Sequence, residues 1–202
     1  MSIQFRQLGE KERLDSVNLK TIAELIYETD SYIYPAMFSS LENAVAIIPE
    51  MIRLDDKMFR CKNLFIAEEN GSICGIILWI KGSLDWNAEI FERCAQMCKT
   101  RVSQHLLEVK ECYLSSYYTT PKDTTSILNI CVRKTYRGRG IGTKMLGAFL
   151  EQNSSPFELF VLKENVMAIK SYKSCGFVIT EQIDGFSLQE SKPPCYKMEL
   201  FG

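Results

Sequence analysis

The chain has 202 residues, 46% hydrophobic and 24% charged, with a formal net charge of -1. That length supports a full hydrophobic core and is best read as a single domain over 1–202, and the composition is that of a folded globular protein. The near-neutral charge speaks against nucleic acid as the main partner, which needs a basic surface. No run reaches the roughly 18 apolar residues of a membrane span, and no signal-type apolar core opens the chain, so the expectation is a cytoplasmic protein without a membrane partner.

In chain order, "IQFRQL" (3–8) alternates and reads as a first strand. "SVNLKTIAELIYETD" (16–30) places Leu19, Ile22, Leu25 and Ile26 at helical spacing, with Ser16 as the expected cap. "SYIYPAMF" (31–38) is expected to break that helix at Pro35, and "LENAVAIIPEMIRLD" (41–55) to form a second helix, bent or interrupted at Pro49. "NLFIAEENGSICGIILWIKG" reads as two strands joined by the hairpin signal Asn70-Gly71.

Residues 84–112 have helical composition and read as an inserted helix or helix pair, which could cover a cleft or form the contact of a homodimer. "ILNICV" (127–132) is a strand, residues 139–152 a helix, and "FELFVL" (157–162) a strand covered on both faces. "NVMAIKSYKSC" (165–175) is a helix closed by Gly176, and "FVITEQI" and "CYKMELF" are final strands. The sum is an α/β domain with a mixed sheet.

The eight cysteines include no CxxC pair, and His105 is the one histidine. Reduced thiols packed as small core residues are expected, with no metal site; Cys94 and Cys98, four apart on a helix, lack a partner pair.

The segment "RKTYRGRGIG" (133–142) carries three arginines, a lysine and three glycines between a strand and a helix. The first N–H groups of a helix lack internal partners and sit at the positive end of its dipole. Glycine lets an anion approach the main chain, and arginine adds fork-shaped donors, so the segment suits a pyrophosphate. The GxxxxGK[ST] phosphate loop is absent, and the GxGxxG dinucleotide pattern fails at Thr143, which disfavours a nicotinamide-dependent oxidoreductase.

The stretch "VRKTYRGRGIGTKML" matches the (Q/R)xxGx(G/A) motif at Arg137, Gly140 and Gly142, and "NVMAIKSYKSCGF" matches N…A…Y…GF at Asn165, Ala168, Tyr172, Gly176 and Phe177. With both motifs in order around one strand, the chain resembles the GNAT N-acetyltransferase superfamily over about 125–178. Lys134 departs from the proline that many members carry.

The resemblance implies a mostly antiparallel sheet of about seven strands flanked by helices, splayed at two central parallel strands, 127–132 and 157–162, with a helical insertion at 84–112. It implies acetyl-CoA as cosubstrate. Main-chain N–H groups of Arg137, Gly138, Arg139, Gly140, Ile141, Gly142 and Thr143 would hold the pyrophosphate. Ile130, Cys131 and Val132 would lie along the pantetheine arm and thioester, beside a bulge that opens the pairing. Asn165, Ala168 and Tyr172, three and four apart, share a helix face, and Tyr172 resembles the family's general acid for the leaving thiolate. Asp30, Tyr32 and Tyr34 would border the acceptor pocket, with Glu28 and Asp30 near the position of a base and loop 184–194 opposite.

The implied reaction is acetyl transfer to a primary amine, small molecule or peptide, by direct attack in a ternary complex. A non-catalytic acyl-CoA-binding sensor or interaction domain has the same cofactor motif and remains the alternative.

Overall fold

Asn70 and Gly71 both take positive φ, 54° and 76°, as a type I′ turn requires. The turn joins two antiparallel strands from which the rest of the sheet grows. The computed structural model describes residues 2–11, 15–82, 88–100, 120–154, 156–184 and 194–201. In order these form β1 (Gln4–Gln7), α1 (Ser16–Tyr27), α2 (Ile33–Phe38), α3 (Leu41–Arg53), β2 (Leu64–Glu69), β3 (Ser72–Lys81) and α4 (Ala88–Met97). There follow β4 (Thr125–Val132), α5 (Ile141–Gln152), β5 (Phe157–Leu162), α6 (Val166–Ser174), β6 (Val178–Ile183) and β7 (Cys195–Leu200).

The sheet order is β1-β2-β3-β4-β5-β7-β6. Every pairing is antiparallel except β4 with β5, which is parallel. That one parallel pair needs a crossover, and α5 supplies it.

Each face of the sheet carries its own core. On one side Leu19, Ile22 and Ile26 of α1 pack with Ile47, Ile48 and Ile52 of α3, Phe91 of α4 and the sheet residues Ile76 and Leu78. On the other, Met145, Leu146 and Phe149 of α5 pack with Phe65, Ile77, Ile127, Phe157 and Leu159. Phe149 is the hub there: its ring lies 5.6 Å from both Phe65 and Trp79 and 6.0 Å from Phe157.

Several expectations are corrected. Asp15, not Ser16, caps α1, accepting from the amides of Val17 (3.0 Å) and Asn18 (3.1 Å). Such a cap is worth about 1 kcal/mol. Pro35 does not break a helix; it sits in the first turn of α2, where a missing N–H costs nothing. Helix α3 runs unbroken through Pro49, because Ala44, Ile47, Ile48, Met51 and Ile52 bury its face on both sides of the proline. Of the insertion, α4 is described; residues 83–87 and 101–119, with His105 and Cys112, lie outside the described residues.

The charged residue of "FELFVL" is buried with the apolar ones. Glu158 is 3% exposed and accepts from Thr120 Oγ1 and Ser126 Oγ, each at 2.5 Å, while Lys197 Nζ lies 3.2 Å away. A buried carboxylate is tolerated only when so satisfied. This cluster fastens β4, β5 and β7 together at the end where β4 and β5 are paired.

Candidate active site

Strands β4 and β5 pair only over Thr125–Ile127 with Phe157–Leu159. Both continue, to Val132 and Leu162, without further pairing to one another. A gap thus opens in the middle of the sheet toward the C-terminal ends of both strands.

A bulge shapes the β4 edge of this gap. Leu78 pairs with Asn129 and Trp79 with Ile127, so Leu128 is the extra residue. The bulge resets the alternation of side chains. Ile127, Ile130 and Val132 pack with the α5 core, whereas Leu128 and Cys131 pack with the α1 core. Backbone direction follows from one hydrogen bond: the N–H of Arg133 donates to Cys74 O of β3 at 2.9 Å. Alternation therefore turns the N–H groups of Val132 and Ile130 away from β3, into the gap.

Past β4 the chain makes a short 3-10 turn, Lys134–Tyr136, then the glycine loop, then α5. Gly138 (φ 78°) and Gly140 (φ 70°) are left-handed. A Cβ at either position would meet nothing within 4 Å. These glycines are thus required by conformation, and the space beside them is open for an anion. Gly140 also caps α5 with no side-chain hydrogen bond, so the amides of Ile141, Gly142 and Thr143 keep their donor capacity at the positive end of the helix. The loop fits a pyrophosphate in main-chain terms.

The arginine side chains are engaged otherwise. Arg137 donates through Nε to Val132 O at 2.8 Å and reaches Glu28 at 3.4 Å. It braces the loop against the end of β4. Arg139 pairs with Glu69 at 2.6 Å and lies over the Tyr136 ring, 5.4 Å from its centroid. Its guanidinium holds the half-buried Glu69 carboxyl below the usual carboxylate range.

Helix α6 borders the gap from the α5 side. Asn165 caps it, its side chain accepting from Ala168 N at 3.2 Å. Thr143 Oγ1 lies 2.7 Å from Ser171 Oγ, which ties the start of α5 to α6. Tyr172 is half-buried, with its ring 6.3 Å from that of Phe177. Burial first, and then the thiol of Cys131 across the gap, push its phenol up to about 12. Cys131 is itself buried, which raises its thiol.

The opposite border is the turn between α1 and α2. Asp30 Oδ1 accepts from the amides of Tyr32 (2.7 Å) and Ile33 (2.6 Å), so this carboxylate closes the turn that leads into α2. Tyr32 is 41% exposed, but Tyr34 is 1% exposed, its hydroxyl donating to Asn129 Oδ1 at 2.6 Å. The structure thus brings the residues expected on the cofactor side, from β4, the loop, α5 and α6, together around one gap. Of the acceptor-side three, it leaves Tyr32 facing solvent and buries Tyr34. Asn129, Glu69 and Ser171 were not singled out by sequence reasoning; each acts through a long-range pairing that no local motif marks. Of loop 184–194, residues 185–193 lie outside the described residues. Its two flanks are joined at the end of β5, where Lys163 N donates to Pro194 O (3.0 Å) and Lys163 Nζ meets Asp184 (3.1 Å).

No helix among the described residues is long and apolar enough to cross a membrane, and none of their His, Cys, Asp and Glu side chains gather as a metal-holding group. Comparison with curated proteins found no match. Solved structures do match. An N-acetyltransferase from Staphylococcus aureus Mu50 is 21% identical, with 98% of this chain and 100% of that one covered and a TM-score of 0.64. Ard1 from Thermoplasma volcanium is 17% identical with full coverage of both chains and a TM-score of 0.56. Arabidopsis thaliana Naa50, in complex with the bisubstrate analogue CoA-Ac-MVNAL, is 16% identical with full coverage of both and a TM-score of 0.52. At these identities the likeness is one of fold. The acetyltransferase (GNAT) family model matches residues 32–177, which runs from the α1–α2 turn through both motifs, and by that match the chain belongs to the GNAT acetyltransferase family.

Proposed function

We propose that this protein is an N-acetyltransferase that moves an acetyl group from acetyl-CoA to a primary amine by direct attack within a ternary complex. The observation that carries the reading is the opening between β4 and β5 beyond Ile127 and Leu159, with the glycine loop at one end of it and Tyr172 beside it. Acetyl-CoA supplies the activated acyl group when bound.

The chain's own groups then have distinct roles. Amides of residues 137–143 receive the diphosphate at a helix start. The N–H groups of Ile130 and Val132 face the gap, where donors of this kind polarise a carbonyl and stabilise the charge that develops on its oxygen. Cys131, between them, presents its side chain to the α1 core and contributes packing at the gap's edge. Tyr172 keeps its proton at neutral pH and offers it to the departing sulfur. A phenol near 12 is a much weaker acid than a thiol near 8.5. Its contribution is therefore hydrogen-bond donation that strengthens as charge collects on sulfur.

For the acceptor, a peptide amine has support from two relatives of the same fold: Naa50 with CoA-Ac-MVNAL, and the NatC complex bound to Gag peptide and CoA. Small amines enter the same test. Purified protein is incubated with acetyl-CoA and either the peptide Met-Val-Asn-Ala-Leu, lysine or spermidine, and free thiol release is followed. Turnover is expected with at least one amine, lost at least a hundredfold in Gly140→Asp, which strains the αL position and sets a carboxylate against the diphosphate. CoA binding by calorimetry without turnover on any amine would favour a non-catalytic acyl-CoA-binding domain.

A further inference from the structure

Asn129 is the first β4 residue past the bulge, 7% exposed, and two independent side chains converge on its amide. Tyr34 donates to its Oδ1 at 2.6 Å, and its Nδ2 donates to Thr29 Oγ1 at 2.6 Å. Thr29 Oγ1 in turn donates to Ile26 O at 2.6 Å. The donor directions are mutually consistent: the threonine proton is spent on Ile26, so its oxygen is free to accept. Thr29 and Tyr34 flank the turn that carries Asp30 and Tyr32. One amide therefore grips both ends of that turn and fixes it to β4.

The bulge makes this possible. In an uninterrupted strand Asn129 would share the face of Ile127 and meet the α5 core. The extra residue Leu128 turns it to the α1–α2 side instead. The same turn is tied a second time, at Glu28, to Arg137 of the glycine loop. The 28–34 segment thus lies along the unpaired part of β4, between Asn129 and the loop.

We infer that Asn129 is a positioning residue for the acceptor: it sets the α1–α2 turn relative to the open edge of β4, so that Tyr32 and the turn's backbone meet the amine in register with the acyl group. It touches neither substrate in this role. The inference deepens the transferase reading and rests on it only for its kinetic arm. Each lost link changes an equilibrium by several-fold, up to roughly tenfold.

The test uses Asn129→Ala and the milder Tyr34→Phe in the full chain. Hydrogen exchange of segment 29–38, read by mass spectrometry, should quicken by up to roughly tenfold in Tyr34→Phe, which loses one link, and further, toward roughly a hundredfold, in Asn129→Ala, which loses both. The Kd for CoA should stay within about twofold. For whichever amine supports turnover, KM should rise roughly tenfold with kcat little changed. Unchanged exchange in 29–38 overturns the proposal. So does a loss of CoA affinity equal to the loss for the amine, which would make Asn129 a support of the cofactor strand. If no amine is turned over, the transferase reading fails by itself, while exchange and CoA affinity still decide whether Asn129 fixes the turn.

Discussion

Tyr172 joins a sequence motif to a measurable property. With its phenol near 12, it stays protonated across the range in which an acceptor amine loses its proton. The kcat/KM profile should therefore rise with pH and show no Tyr172-dependent fall below about pH 10, since a descending limb reports an acid that must stay protonated. Tyr172→Phe should lower kcat roughly 10²-fold with CoA affinity preserved, measured by steady-state kinetics and calorimetry. An unchanged kcat in Tyr172→Phe would contradict the donor role, and a limb below about pH 10 that Tyr172→Phe removes would contradict the raised phenol alone. Asp56 is a structural counterpart. It is fully buried, its Oδ1 accepts from the amides of Met58 and Phe59, and its Oδ2 has no hydrogen-bond partner among the described residues. Burial raises its carboxyl above the ordinary value. The folded state thus favours the protonated form, and this group's contribution to stability falls as pH rises through its folded pKa. Asparagine keeps the accepting oxygen without the charge. Asp56→Asn should match or exceed the parent by about 1 kcal/mol at pH 7, and the difference should shrink toward pH 3.5 in urea titrations.

Among the elements, α5 is the one that the site depends on most. Its start presents the glycine loop, and its buried face fixes where that start lies. Phe149 holds this face through three aromatic contacts. Phe149→Ala should cost about 3–5 kcal/mol in a denaturant series and weaken CoA binding, although the residue lies outside the binding motif. Leu150, half-buried beside it, offers no comparable ring contacts and should matter less. Helix, hairpin and glycine loop were all legible locally: period, the Asn70-Gly71 pair and the strand–glycine–helix order each encode their own geometry. Pro35 was misread and no interruption occurs at Pro49, because proline reports a missing N–H and not whether that N–H was needed. The first sits where none is required; around the second, buried side chains outweigh one lost bond.

For the molecule as a whole, two cores lie on opposite faces of one sheet, and the sheet opens where its single parallel pair ends. Glu158 and its partners fasten the closed end; the open end has no such cross-tie between β4 and β5 among the described residues. A ligand that bridges the two strands should therefore stabilise the whole fold. CoA at 100 times its Kd should add about 2.7 kcal/mol, raising Tm by roughly 5–10 °C for a chain of this size. Gly140→Asp should abolish that shift in differential scanning fluorimetry.

Sequence alone determined the family, the glycine loop at the start of α5 and the spacing of Asn165, Ala168 and Tyr172, because these depend on backbone conformation and spacing within one or two elements. The tertiary structure decided what each side chain does there. It turned Arg137 onto Val132, made Asn165 a cap, buried Tyr34 and brought in Asn129. The burial of Tyr34 and the entry of Asn129 depend on partners 95 and 100 residues away and on one extra residue in β4, which reverses the facing of everything beyond it. Alternation read along a chain cannot register a bulge, because the bulge is a property of the pairing between two strands.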